Sequence, residues 1–376
     1  MRAWLFQDHR QKKKLGDKAP WSVGWFDPDG KKRSRRIGSK SMAEKFRRKI
    51  EGELAAGTYQ GNARKSWADF REEHATKILA SQSIGTRRET ETALAHFERI
   101  YKPKRLSAVK TAVIDEYIAV RRREPSKRRK GLKVSVATIN KELRHLRAAL
   151  NLAHDWEYLP NVPKFHMIRE PKRLITYVTP PHFAEIYRAC KSATRPKGLP
   201  YPACDWWRAF LTFSYMTGWR VSEPLALRPD DLDLDNATAI TRHGDNKGNR
   251  DELVPLHSVV VEHLRKIVSF EPAVFPWPHH HRTLDAEYHA IQKSAGIHLS
   301  CPDDHEHTDA CHLYGFHDLR RAFATANAET LSADALQALM RHSSYTTTQR
   351  YISMASQMNR SVDNLHVPDV LRRTKS

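Results

Sequence analysis

In the C-terminal half of the chain, two arginines, two histidines, a lysine and a tyrosine stand at spacings that could do chemistry. In TGWRVSEPLALRPDDLDLD (217–235), Arg220 and Glu223 sit three apart at the start of a helix, with Gly218 permitting a tight turn into it. In GFHDLRRAFAT (315–325), His317 and Arg320 are also three apart, so a helix would project both from one face. Between these segments, DNKGNRDELVPL puts Lys247 at the tip of a hairpin. RHSSYTTTQRYIS (341–353) carries His342 and, nine residues later, Tyr351. Together these residues suit attack on a phosphodiester. Two guanidinium groups can fork the non-bridging oxygens and neutralise the charge that builds there. A tyrosine, with an ordinary pKa of about 10, needs a proton acceptor and a positive field. A lysine on a hairpin can protonate the leaving 5′ oxygen. The chain offers no carboxylate cluster of the two-metal nuclease kind, so no cofactor is expected to be required. Each residue alone has an ordinary explanation: surface ion pairs for the arginines, a turn for Lys247, a helix end for the histidines, and the core for Tyr351. The hydroxyl run between His342 and Tyr351 reads as the turn and cap of the tyrosine's helix, with Ser343 or Ser344 as the cap.

The elements that must hold this set read as a series of parts. Residues 1–59 form a compact basic unit, in which WSVGWF (21–26) is a strand, DPDG a turn and KKRSRRIG a second strand. SMAEKFRRKIEGELAAG then reads as a helix ended at Gly57. Its basic strand offers Lys31, Lys32, Arg33, Arg35 and Arg36 to DNA. Residues 62–160 read as all-helical, with Ser66 capping one helix and Thr111 opening another. The strongest helix, SVATINKELRHLRAALNLAHDW, lines up Ile139, Leu143, Leu146, Leu150 and Ala153 on one face and keeps Lys141, Arg144 and Arg147 off it. A basic loop before it holds Lys127, Arg128, Arg129 and Lys130. Residues 161–174 read as a Pro-rich linker, 175–360 as a mixed domain of helices and short strands whose first helix is capped by Thr179, and 361–376 as a tail.

The segments TGWRVSEPLAL, KGNRDELVPL, HDLRRAFAT and HSSYTTTQRY, in this order, resemble the tyrosine recombinase (phage integrase) family. The resemblance covers roughly 175–356 directly and the helical segment more loosely. It implies a mainly α fold with small β-sheets, in three parts. These are an N-terminal arm-type β-sheet module, a helical core-DNA-binding (SAM-like) domain and a mixed α/β catalytic domain. It implies that the two larger parts clamp duplex DNA. It implies an arginine pair in Arg220 and Arg320, the hairpin lysine in Lys247, the first His of an HxxR motif in His317, and a later His or Trp position in His342. Tyr351 would be the nucleophile of a 3′-phosphotyrosine bond, and Glu223 would orient the site. The implied assembly is a homotetramer on two DNA sites, with the tail reaching a neighbour. Trp219 stands where an aliphatic is common, Pro224 follows Glu223, and Arg321 replaces a frequent His. Two other readings stay open: a type IB topoisomerase-like enzyme that rejoins the same strand, and a DNA-binding regulator of the same fold that no longer cleaves.

Composition agrees with a nucleic-acid partner. The 376-residue chain carries a net charge of +21, and its first 60 residues hold sixteen Lys and Arg against seven Asp and Glu. No apolar run is long enough for a membrane span or a secretion signal, so no membrane partner and a cytoplasmic location are expected. Four cysteines are too few for a disulfide scaffold. Cys301, His305, His307 and Cys311 nevertheless fall within eleven residues and offer four ligands of the kind zinc prefers, where a structural zinc would brace the loop feeding His317. Their spacing matches no standard zinc finger, and the alternative is a polar surface loop.

Overall fold

The computed structural model describes residues 3–27, 30–56, 59, 65–127, 131–170, 175–244, 250–301 and 307–358. Contacts divide the chain into two units, 1–171 and 172–376.

The first unit begins with a three-stranded antiparallel sheet in the order β1 (Trp4–Gln7), β2 (Trp21–Phe26), β3 (Lys32–Gly38), with helix α1 (His9–Leu15) between the first two strands. Alternation along β2 sends Val23 and Trp25 to one face, where they pack with Ala43, Ile50 and Leu54 of α2 (Lys40–Ala55). Ser22, Gly24 and Phe26 take the other face. A Cβ on Gly24 would lie 2.6 Å from the Trp4 ring, so glycine is what lets Trp4 lie flat across the strand. Both β1 and α1 went unforeseen in the sequence.

Four helices follow: α3 (Trp67–Lys77), α4 (Ile84–Tyr101), α5 (Thr111–Arg121) and α6 (Val136–Asp155). The Ser66 hydroxyl accepts from the Asp69 N–H at 3.0 Å and starts α3 as expected. The α6 stripe of Ile139, Leu143, Leu146, Leu150 and Ala153 is fully buried, which explains why this helix was legible. Beside the stripe, buried Glu142 accepts from the Tyr117 hydroxyl at 2.7 Å and from Arg121 Nε at 2.9 Å, so its charge is paired. The stretch expected as a linker, 161–174, is instead docked as far as Glu170. Val162, Phe165 and Ile168 pack on the helical core, and the Asn140 side chain binds both the carbonyl and the N–H of Ile168. Apolar residues at every third position gave this Pro-rich strap a face to bury.

The second unit contains α7 (Pro180–Ala189), α8 (Ala203–Thr217), α9 (Ser222–Ala226), a sheet of β4 (Leu232–Asp233), β5 (Thr238–Thr241) and β6 (Glu252–Pro255), and then α10 (Ser258–Arg265), α11 (Arg282–Ser294), α12 (Phe316–Asn327), α13 (Ala333–Met340) and α14 (Tyr345–Met358). Helix α8 is apolar on several sides, with Trp206, Trp207, Phe210 and Phe213 all buried, so the other elements pack around it. A smaller cluster joins Phe323 of α12, Leu336 and Met340 of α13, and Tyr351 of α14. No helix among the described residues is long and apolar enough to cross a membrane.

Candidate active site

Arg320 lies on the buried side of α12, only 2% exposed. Its Nη1 donates to the Gly218 carbonyl at 2.5 Å, and its Nη2 donates to the Met340 carbonyl. Gly218 caps the C-terminus of α8 in the left-handed conformation (φ 65°), and Met340 is the last residue of α13. The guanidinium therefore meets the carbonyl ends of two helices, where a cation is favoured and acceptors lack partners within the helix. Among the described residues these partners are carbonyls rather than carboxylates, so the charge is held without being cancelled. Burial, and then neighbouring Arg220, push Arg320 down to about 9.

Arg220 precedes α9. Its backbone N–H donates to Glu223 Oε2 at 2.8 Å and its Nη1 to Oε1 at 3.0 Å, so one buried carboxylate fixes both ends of the residue. Pro224 sits in the first turn of α9 without breaking it.

His342 and Tyr351 face each other across the start of α14, with ring centroids 6.0 Å apart and planes 11° from parallel. Thr348, fully buried one turn before Tyr351, shares a 2.9 Å hydrogen bond with His342 Nδ1. Burial, then Arg320, Arg220 and His317, push His342 down to about 4, so the ring is neutral at neutral pH. His317 is exposed near the start of α12, in the same field. Two groups depressed by burial and positive neighbours mark a place prepared for an anion. The structure thus brings together Arg220, Glu223, His317, Arg320, His342 and Tyr351. Lys247 lies outside the described residues.

Helix α14 begins at Tyr345, directly after Ser344. The hydroxyl run is more than a cap, because Thr348 turns inward to hold His342. A second residue missed in the sequence is Arg341. It is buried, lies over the Trp219 ring and donates to Glu223. The unusual Trp219 was the available signal, since a buried indole can take a cation on its face.

The expected DNA-binding residues lie in the first unit. On the sheet face opposite α2, Lys32 stands over the Trp4 ring at 5.5 Å, beside exposed Phe26 and Arg36. Lys31 is exposed just before β3. On the other side, Arg33 Nε pairs with Asp27 at 2.8 Å and Arg35 covers Phe46 of α2. Arg144 and Arg147 are exposed along α6, and Lys141 pairs with Glu89 at 2.9 Å. Lys127 is described, while Arg128, Arg129 and Lys130 lie outside the described residues.

Of the candidate zinc ligands, His305 lies outside the described residues, as does the tail from 359 onward. The His307 ring stacks on His312 with centroids 5.0 Å apart, and His298 stacks on the same ring at 4.1 Å. Cys301 and Cys311 are half-buried. Among the described residues no group of three or more His, Cys, Asp or Glu is arranged to hold a metal ion.

Comparison with known proteins gives matches across both units. The phage integrase family model matches residues 176–358, and the phage integrase SAM-like domain model matches residues 66–167. The protein y4eF of Sinorhizobium fredii, provisionally named an integrase/recombinase, is 30% identical over 151 residues, which is 39% of this chain and 57% of that protein. Tyrosine recombinase XerC of Staphylococcus carnosus is 28% identical over 156 residues, 41% of this chain and 51% of that protein. The match spans about half the length of these curated relatives. Among solved structures, a lambda integrase dimer bound to a COC′ core site has a similar fold, with a TM-score of 0.55 at 17% identity over 97% of each chain. The Tn1549 transposon integrase in complex with transposon right end DNA gives 0.58 at 16% identity, over 77% of this chain and 97% of that one.

Proposed function

Because the chain belongs to the phage integrase family of tyrosine recombinases, we propose that it cuts and rejoins duplex DNA at specific sites through a 3′-phosphotyrosine bond formed by Tyr351. One observation carries this reading: the stacked rings of His342 and Tyr351 lie in the field of Arg220 and Arg320, and Arg320 and His342 are both pushed down, first by burial and then by their positive neighbours. In the proposed step, the Tyr351 oxygen attacks the scissile phosphorus as its proton passes to a neutral histidine of the site, for which His342 is the proposed acceptor. Arg220 and Arg320 bind the non-bridging oxygens, and the bond to the 5′ oxygen breaks. That oxygen takes a proton, for which Lys247 is the proposed donor, and leaves as a hydroxyl. The phosphotyrosyl bond keeps the energy of the broken linkage. A 5′ hydroxyl from a partner duplex then attacks the same phosphorus and releases Tyr351, so the ends are rejoined without a nucleotide cofactor.

The proposed partner is duplex DNA, and the proposed assembly is four protomers on two sites. The similar fold of a lambda integrase tetramer bound to a Holliday junction, with a TM-score of 0.54, supports that arrangement. A zinc ion on Cys301, His305, His307 and Cys311 stays a proposal based on residue types, and metal analysis of untagged protein tests it. Near-stoichiometric zinc would support it, and less than about a tenth of an equivalent would end it.

The function is tested with duplex sites obtained by covalent capture from a random nicked-duplex pool. Strand exchange between two labelled duplexes is expected. Relaxation of a supercoiled plasmid without exchange would instead indicate a topoisomerase, and tight binding without any covalent adduct would indicate a regulator.

A further inference from the structure

Arg341 is 8% exposed, and its guanidinium lies 4.6 Å from the centroid of the Trp219 ring. Its Nη2 donates to Glu223 Oε2, and its Nε stands 3.6 Å from Oε2 of Glu252, at the start of β6. Nε and Nη1 find no hydrogen-bond acceptor among the described residues. The backbone of Arg341 has φ 50° and ψ 48°, the left-handed region, which is strained for a residue with a Cβ. Here a long charged side chain is buried at a backbone position that suits glycine. Such strain persists where the surroundings over-determine it, and it gathers at functional sites.

The interactions converge on Glu223, itself 2% exposed. Its two oxygens take the N–H and the Nη1 of Arg220 from one side and the Nη2 of Arg341 from the other. A carboxylate held between two guanidinium groups and a backbone N–H has a fixed direction, because each oxygen is tied to a donor on its own side. Among the described residues, Oε2 without Arg341 keeps only the Arg220 backbone N–H, and the terminal torsion of a glutamate is soft. The Arg220 guanidinium, bound to the other oxygen, would turn with it. Arg341 also ties this carboxylate to Glu252 and hence to the strand that follows Lys247 in the chain.

We propose that Arg341 is a positioning residue for Arg220: acting through Glu223, it sets the direction in which Arg220 presents its guanidinium to the scissile phosphate. This rests on the strand-cleavage reading above.

The test compares the wild-type chain, Arg341→Gly, Glu223→Gln and the double variant. Each is assayed for single-turnover cleavage of a captured nicked duplex at saturating protein, with affinity for the same DNA measured separately. Glycine suits the left-handed backbone, and thermal unfolding checks the fold of each variant. Arg341→Gly is expected to slow cleavage about 10- to 100-fold, the size of effect a misdirected catalytic group gives, while affinity changes less than about threefold. In the Glu223→Gln background the same change should cost less than about threefold further, because the two residues act along one line. Arg341→Lys, which keeps the charge and loses the fork, should fall between wild type and Arg341→Gly, and it carries the same comparison if Arg341→Gly does not fold.

A folded Arg341→Gly that cleaves within about twofold of wild type would overturn the proposal. So would an equal loss in both backgrounds, which would mean that Arg341 acts independently of Glu223, on the phosphate itself or on the fold. An adduct from wild type together with unchanged variants counts against Arg341 alone. No adduct from wild type on any captured duplex counts against the cleavage reading on which the proposal stands.

Discussion

The guanidinium of Arg320 reaches the carbonyl of Gly218 at 2.5 Å, across 102 residues of sequence, and this bond joins α12 to the end of α8. Gly218 serves it in two ways. Its left-handed backbone turns the carbonyl toward Arg320, and its missing Cβ makes room for Phe323, whose Cδ1 would lie 2.6 Å from a Cβ there. Gly218→Ala is therefore expected to lose about 2–4 kcal/mol in denaturant unfolding, from backbone strain and overpacking together. Its cleavage activity should fall further than its stability explains. An unchanged unfolding midpoint would contradict this account of the turn.

Thr348 is the second buried contact on which the site depends. Thr348→Val keeps the shape and removes the hydroxyl that His342 Nδ1 meets at 2.9 Å. A half-buried ring nitrogen is left without its partner, at a cost of about 1–3 kcal/mol. The imidazole also loses what fixes its tautomer and its angle to Tyr351. Slower cleavage with intact DNA binding is expected. Serine at the same position, which keeps the hydroxyl, should recover most of the rate.

The pH dependence follows from His342, whose pKa is pushed down to about 4 from an ordinary 6.5. Between those values the unfolded chain binds a proton that the folded site refuses. Stability should therefore rise with pH across that window and fall as pH is lowered from about 6.5 toward 4. His342→Gln should flatten that part of a stability-against-pH curve. If the slope between pH 4 and 6.5 were unchanged in the variant, His342 would not be the group held neutral.

Much of this site was legible because its residues are polar, specific in type and set on strongly periodic elements. Arg220 with Glu223, and His317 with Arg320, read as ordinary surface or helix residues when taken singly, and stand out through the order of the four family-like segments. Arg341 does not stand out, since an arginine beside a histidine reads as one more surface cation in a chain with 64 Lys and Arg. Its burial depends on Glu223, 118 residues earlier, and on Trp219. Thr348 was hidden in a run of hydroxyl residues that a helix start explains equally well. In the fold, α6 was plain from its apolar stripe. Helix α4 was hidden because its first turns read TRRETET before Ala93, Leu94 and Phe97 supply a buried face. Strand β1 has only four residues and no turn signal beside it, and its pairing with β2 is a tertiary fact that no local pattern encodes.

Salt dependence should sort the basic residues of the sheet. Arg36 is exposed on the face opposite α2, so Arg36→Ala is expected to reduce the slope of log affinity against log salt by about 1. Arg33→Ala should change the slope less, because Asp27 already takes its guanidinium at 2.8 Å. Equal effects from both would mean that the Asp27 pair opens on DNA.

The most direct measurement of the central claim is the identity of the residue that carries the DNA. Wild type, Tyr351→Phe and Tyr345→Phe would be incubated with a captured nicked duplex, denatured and digested, and the DNA-linked peptide mapped. Tyr345 is the internal control, six residues earlier and 46% exposed where Tyr351 is 6% exposed. The expected result is an adduct on the peptide containing Tyr351, retained in Tyr345→Phe and absent in Tyr351→Phe. An adduct that survives in Tyr351→Phe, or one that maps to Tyr345, would contradict the assignment of Tyr351 as the nucleophile.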